Sequence, residues 1–195
     1  MSVKLPRMAA IGLLALNFIA CSFLAPKAGA TVEEIEKEEQ AVYSFFVGDS
    51  TGTIVILQDT ATEISTDDPQ QTIDYIKSGL KSLSDETLDD YMARNKEPGQ
   101  LSPDMQLGVD YVLLSTDELR KISSQPDWPE VMAERYSGSG GYLILSRVGF
   151  NAELDQALIY VGDVAGPLMG AGFYYLLEKR NGEWVLTEQI MVWIS

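Results

Sequence analysis

Three observations predict an α+β fold: N-terminal helices with two strands, packed on a C-terminal four-stranded antiparallel meander. Residues 31–136 alternate capped, helix-spaced segments with two short β-branched runs, "TIVILQDTATEI" (53–64) and "LGVDYVLLS" (107–115). From Gly140 onward the pattern switches to four strand-like runs separated by turn residues. Neither a repeat nor a low-complexity linker divides residues 31–195, so they form one domain.

The first thirty residues read as an address. Lys4 and Arg7 precede an apolar stretch, and Ala28-Gly29-Ala30 supplies small residues for cleavage after Ala30. From Ala9 to Leu24 the apolar run is 16 residues, short of the ~20 that span a bilayer, so no transmembrane anchor is expected. Phe18-Ile19-Ala20-Cys21 also resembles a bacterial lipobox, which makes Cys21 the alternative processing point and a lipid tether. The expected location is periplasmic or secreted, or lipid-anchored in the bacterial envelope.

The elements follow in order. Thr31 precedes "VEEIEKEEQAVYSFF", where Val32, Ile35, Val42 and Phe46 recur near helical spacing and the acidic residues crowd the start, predicting a helix over 33–46. After the loop "VGDSTG" comes the first strand. Asp68-Pro69 is an N-cap followed by proline at the first helical position, and Ile73, Ile76, Leu80 and Leu83 then share a face. Ser84 caps a segment over 85–95, and Ser115-Thr116-Asp117-Glu118 opens a helix through Ile122. "DWPEVMAERY" (127–136) predicts one more. The meander runs through 141–150, 156–164, 170–180 and 183–194, with Asn181-Gly182 as a hairpin turn.

Charge restricts the partners. The chain carries 14 basic and 29 acidic residues, net −15, and no histidine. Cleavage after Ala30 removes Lys4, Arg7 and Lys27, leaving 11 basic residues and a net charge of −18. Such a surface repels phosphate backbones, so nucleic acid is excluded as a partner. Cys21 is the sole cysteine, and the processed chain then has no disulfide and no thiolate chemistry.

Gly48-Asp49-Ser50 has the letters of the GDSL-type esterase nucleophile block. A serine hydroxyl needs a base to attack, and in those enzymes the base is histidine. With no imidazole in the chain, Ser50 is read as a turn residue. The absence also removes histidine-based zinc and haem ligation. "GPLMGAG" (166–172) lacks the Gly-Lys-Ser/Thr ending of a phosphate loop, and the acidic clusters lack a calcium-loop pattern. No catalytic, metal or cofactor residue is therefore assigned, and an enzyme is the less favoured reading. Carboxylates remain the one abundant chemical group, with Asp110 in "GVDYVLL" and Asp163 in "YVGDV" as the candidates for partial burial.

"LSRVGFNAELDQALIYVG", "GAGFYYLLEKRNGEWVL" and the terminal "WIS" resemble a group of secreted bacterial proteins to which no activity is attached. That resemblance rests on Ser-x-Val-Gly-Phe-Asn, Gln-Ala-Leu, Gly-x-Gly-x-Tyr, Gly-x-Trp and Trp-Ile-Ser in this order. It implies export and an α+β domain, and brings no catalytic residue. The hairpin "EKRNGEWVL" is also similar to the last hairpin of NTF2-like domains. Taken together, the expected function is an exported, non-enzymatic binding or interaction domain for an unknown protein or glycan. A carboxylate-based hydrolase of glycans or cell-wall material is the alternative, and an inhibitor or immunity-type protein for a basic partner is a third.

Overall fold

The computed structural model describes residues 29–48, 52–61, 63–65, 67–137 and 139–195. Cys21 and Ser50 lie outside the described residues. Five helices and seven strands follow in the order α1 (Val32–Val47), β1 (Ile54–Leu57), α2 (Pro69–Gly79), α3 (Asp85–Arg94), β2 (Tyr111–Leu114), α4 (Thr116–Ser123), α5 (Trp128–Arg135), β3 (Tyr142–Leu145), β4 (Gly149–Phe150), β5 (Gln156–Gly166), β6 (Met169–Arg180) and β7 (Glu183–Ile194).

The α+β class is as expected, but the sheet is larger than a four-stranded meander. Its order is β2-β1-β3-β5-β6-β7, with β4 paired to β5. Strands β1, β2 and β3 run parallel, whereas β3, β5, β6 and β7 are successively antiparallel. The N-terminal strands therefore extend the meander's own sheet. The connections between parallel strands must cross over the sheet, and α2–α3 and α4–α5 supply those crossovers.

Helices cover both faces of the sheet. On one face α1 places Val42, Tyr43 and Val47 against Ile56, Leu145, Ile159 and Leu177, and the loop residues Leu101, Met105 and Leu107 complete that layer. On the other, α2 and α3 pack Ile76, Leu88 and Tyr91 on Leu158, Tyr160, Tyr174 and Leu176. Helices α4 and α5 bring Ile122 and Met132 to Val55 and Leu114 on this second face. Period-two alternation along β5 explains the split, since Ala157, Ile159 and Val161 face α1 and Leu158 and Tyr160 face away.

Capping fixes the helix starts. Thr31 accepts from the Glu34 amide at 3.2 Å while the Glu34 carboxylate accepts from the Thr31 amide at 2.7 Å, a reciprocal box worth about 1 kcal/mol. Asp68 accepts from the Gln70 and Gln71 amides, Ser84 from Thr87, and Ser115 from Glu118. The β6–β7 turn places Asn181 and Gly182 at φ 53° and 88°, the left-handed pair that a two-residue type I′ hairpin needs.

Two strands are shorter than their sequences suggest. Beyond Gln58, whose amide still donates to Leu114 O, the backbone leaves β2: Thr60 donates to Gly99 O and Ala61 to Leu145 O. The run 141–150 breaks into β3 and β4 because Ser146–Val148 forms a buried corner. Its backbone is bonded by side chains: Arg147 N donates to Asn95 Oδ1, Val148 N to Glu39 Oε1, and Tyr43 donates to Ser146 O.

One hydroxyl in the second-face core is unmatched. Tyr91 is fully buried, and its hydroxyl has no hydrogen-bond partner among the described residues. The Ser146 and Tyr174 hydroxyls lie nearby, and their own protons go to Arg147 O and Glu63 O. Replacing Tyr91 with phenylalanine removes an unpaired polar group without changing the ring. Urea unfolding of Tyr91→Phe is expected to show stability unchanged or raised by up to about 1 kcal/mol.

Candidate functional site

The site begins with glycines. Ser139-Gly140-Gly141 leads into β3, and Gly141 adopts φ 141°, where its missing Cβ would stand 2.0 Å from Val164 O. That close approach draws the start of β3 onto β5 and away from β1. Strands β1 and β3 consequently pair at one position, Ile56↔Leu143. Where the next rungs would lie, the sheet opens into a cleft of about 270 Å³. Ile54 and Val55 form one wall and Gly141 to Leu143 the other, with Phe46 and Asp163 at the face covered by α1.

Helix α1 ends at this cleft. Its earlier turns are tied to the sheet, with Lys179 Nζ 2.6 Å from Glu38 Oε1 and Trp184 Nε1 donating to Glu38 Oε2 at 3.0 Å. In the last turn Phe46 meets Tyr175, ring centroids 5.0 Å apart, and Tyr175 meets Phe173 at 5.6 Å. Phe173 is partly exposed, and its β7 neighbour Met191 is 44% exposed. Phe45, edge-on to Phe46 at 5.2 Å, is 42% exposed. An aromatic shelf thus continues from the cleft across β6 to β7.

Among the described residues, Asp163 is the one carboxylate lining the cleft. It touches water on one side, but partial burial raises its carboxyl pKa above the ordinary aspartate range. No hydrogen bond or ion pair to its side chain is made among the described residues. Burial first, and the Asp163 charge second, raise the phenol of Tyr175, which places the carboxylate within electrostatic reach of that ring.

The two candidate aspartates are not brought together. Asp110 precedes β2 instead of lying within it, is exposed, and lines a separate open depression with Gly108 and Val109. Ala30 is buried immediately before the Thr31 cap. Among the described residues no group of three or more Cys, Asp or Glu is arranged to hold a metal ion, and no helix is long and apolar enough to cross a membrane.

Two features escaped the sequence. Ser78-Gly79-Leu80-Lys81 has a Ser-x-x-Lys spacing, but Ser78 donates to Tyr75 O at 2.7 Å and Lys81 Nζ to Lys77 O at 3.3 Å. Both side chains are spent on helix carbonyls. The second is Glu39, buried mid-helix in an acidic run that reads as solvated. Its carboxylate takes Arg147 Nε and Nη2 at 2.8 Å each, Arg94 Nη2 at 3.1 Å and the Val148 amide at 2.9 Å. Three donors converge on Oε1 and one on Oε2, so Glu39 is ion-paired into the framework. A scan against protein-family models matches none, and neither the curated proteins nor the solved structures contain a match to this chain.

Proposed function

We propose that this chain is an exported, non-enzymatic binding domain whose contact surface is the aromatic shelf beyond the end of α1. The observation that carries this reading is a shallow face on which Phe45 and Met191 are exposed and Phe173 and Tyr175 partly exposed, joined to a cleft with a single unpaired carboxylate. Exposed contiguous apolar surface of this kind marks interaction sites in monomers. Hydrolysis of a glycosidic bond needs two carboxyls about 5–9 Å apart across one cleft, and Asp110 lines a different depression from Asp163. The basic leader supports export, and the capping box at Thr31 lets α1 begin directly after a cut at Ala30. Lipidation at Cys21 would tether the same domain to the envelope.

The test is affinity capture from envelope extracts with the wild type and a Phe173→Ser/Met191→Ser variant. Both substituted side chains are partly exposed, so the variant is expected to melt within a few degrees of wild type. The expected result is a discrete bound species that the variant loses by at least tenfold. Equal retention by the two proteins, or glycan hydrolysis abolished by Asp163→Asn, would overturn the reading.

A further inference from the structure

We infer that the cleft between β1 and β3 receives a lysine or arginine side chain carried by a basic polypeptide lying on the adjoining aromatic shelf. This rests on the binding reading above and adds the chemistry of the partner. Asp163 offers a carboxylate with no basic residue beside it in the cleft and no ion pair elsewhere among the described residues. Phe46, Tyr175 and Phe173 form a chain of rings in contact. Ring faces carry negative potential, so carboxylate and rings together favour a cation and repel an anion.

Size and surroundings select among cations. A volume of about 270 Å³ falls below the roughly 300–1,000 Å³ of small-molecule sites and suits one side-chain head group. A free amine would leave Phe45 and Met191 wet, at 42% and 44% exposure, whereas a polypeptide anchored in the cleft covers them. A second copy is a poor occupant, because each copy carries net −15 and repels its twin. The same charge draws a basic chain in and makes its association fall with salt.

The probe is the capped peptide acetyl-Ala-Phe-Arg-Leu-Ala-amide, titrated into the ¹⁵N-labelled purified protein, with a glutamine-for-arginine peptide alongside. Saturable shifts are expected at the amides of Gly140, Gly141 and Asp163, weakened at least tenfold by Asp163→Asn and by the glutamine probe. Asp163 is solvent-exposed, so the variant is expected to fold; should it not, the glutamine peptide on wild type decides the same question. Equal binding of the two peptides, arginine amide alone binding as tightly as the peptide, or a dimer in sedimentation that buries these residues would each overturn the inference. If the extract partner still requires Phe173 and Met191 while arginine and glutamine probes bind alike, the cationic anchor fails and the binding reading stands.

Discussion

Replacing Glu39 with leucine is expected to cost about 3–5 kcal/mol of folding stability, read from urea unfolding, the range seen when one member of a buried ion pair is removed. Glu39 stands on α1, Arg94 at the end of α3, and Arg147 in the corner between β3 and β4, so one carboxylate joins the layers on both sides of the sheet. Side-chain exposure is 8% for Glu39 and 10% for Arg94, leaving little water to take over if the carboxylate goes. The substitution strands two guanidinium groups and the Val148 amide at once. Burial by itself would raise the Glu39 pKa, but the bonds from Arg147, the charges of Arg94 and Arg147, and the Val148 amide outweigh it and hold the carboxyl below its ordinary range. On the other side of the pair, burial would lower the Arg147 pKa, and the Glu39 hydrogen bond and charge reverse that into a rise.

The pH dependence has a definite sign. A folded pKa below the unfolded value, about 4.3 for glutamate, means the unfolded chain binds the proton first as the solution is acidified. The contribution of Glu39 is therefore complete above that value and is lost as pH falls through the lower folded one. Wild type should lose stability between pH 5 and pH 3 (roughly, from that reference value) more steeply than Glu39→Leu. A loss under about 1 kcal/mol at neutral pH, or parallel acid profiles, would show that the ion cluster does not hold the layers together. Exchanging all three charged residues for apolar ones of similar size should restore most of the stability, because the desolvation cost disappears with the charges.

How much of this was legible depended on range along the chain. Asp68-Pro69, Ser84, Ser115 and Asn181-Gly182 act on neighbours within four residues, and each starts or turns the element its letters announce. The pairing of Glu39 was not legible. Its partners lie 55 and 108 residues away. The one local signal is its place four residues after Ile35 and three before Val42, on the apolar stripe of α1, which marks it as facing inward without saying what it pairs with. The break between β3 and β4 was hidden for the same reason, since it is imposed by Asn95, Tyr43 and Glu39 reaching in from other elements. Asp163 stood out as a carboxylate at the end of an apolar strand, but its cleft depends on a strand pairing that the local pattern does not state.

The residues that carry the family-like pattern turn out to be framework. In Ser146-x-Val148-Gly149-Phe150-Asn151, Ser146 Oγ accepts from the Tyr160 amide, Gly149 lies against the Tyr91 backbone, and Asn151 Oδ1 accepts from Asp155 and Gln156. Gln156 ties β5 to the start of α3 through Ser84 and Thr87. Gly172 leaves room for Trp193 Nε1 to donate to the Tyr160 hydroxyl at 2.7 Å. These side chains hold the sheet and its helices together, whereas the contact surface we propose uses Phe45, Phe46, Asp163 and Met191 together with Phe173 and Tyr175, which alternate with the framework residues Gly172 and Tyr174 on β6.

Gly141→Ala should be the most disruptive glycine-to-alanine change among the described residues, and its effect should reach the cleft. Two penalties act together. The φ of 141° is a conformation L-residues rarely adopt, and the new Cβ would sit 2.0 Å from Val164 O and 2.7 Å from Ala165 Cα. Strain of that kind costs about 1–3 kcal/mol, and overpacking against a backbone that cannot rotate aside adds roughly another 1–3. The chain can relax only by lifting the start of β3 off β5, loosening Tyr142↔Val164 and moving Leu143 towards β1. That motion narrows the opening beside Asp163. Gly140 is the matched control, because a Cβ there meets nothing within 4 Å and its φ is unexceptional. Gly140→Ala should stay within about 1 kcal/mol of wild type, on the stabilising side if the unfolded chain loses entropy. Urea unfolding of the two variants should differ by several kcal/mol, and the arginine peptide should bind Gly140→Ala but lose affinity for Gly141→Ala at temperatures where both are folded. Equal stability of the two would mean that the junction between β3 and β5 yields freely, and the cleft could not then owe its shape to the close approach at Val164.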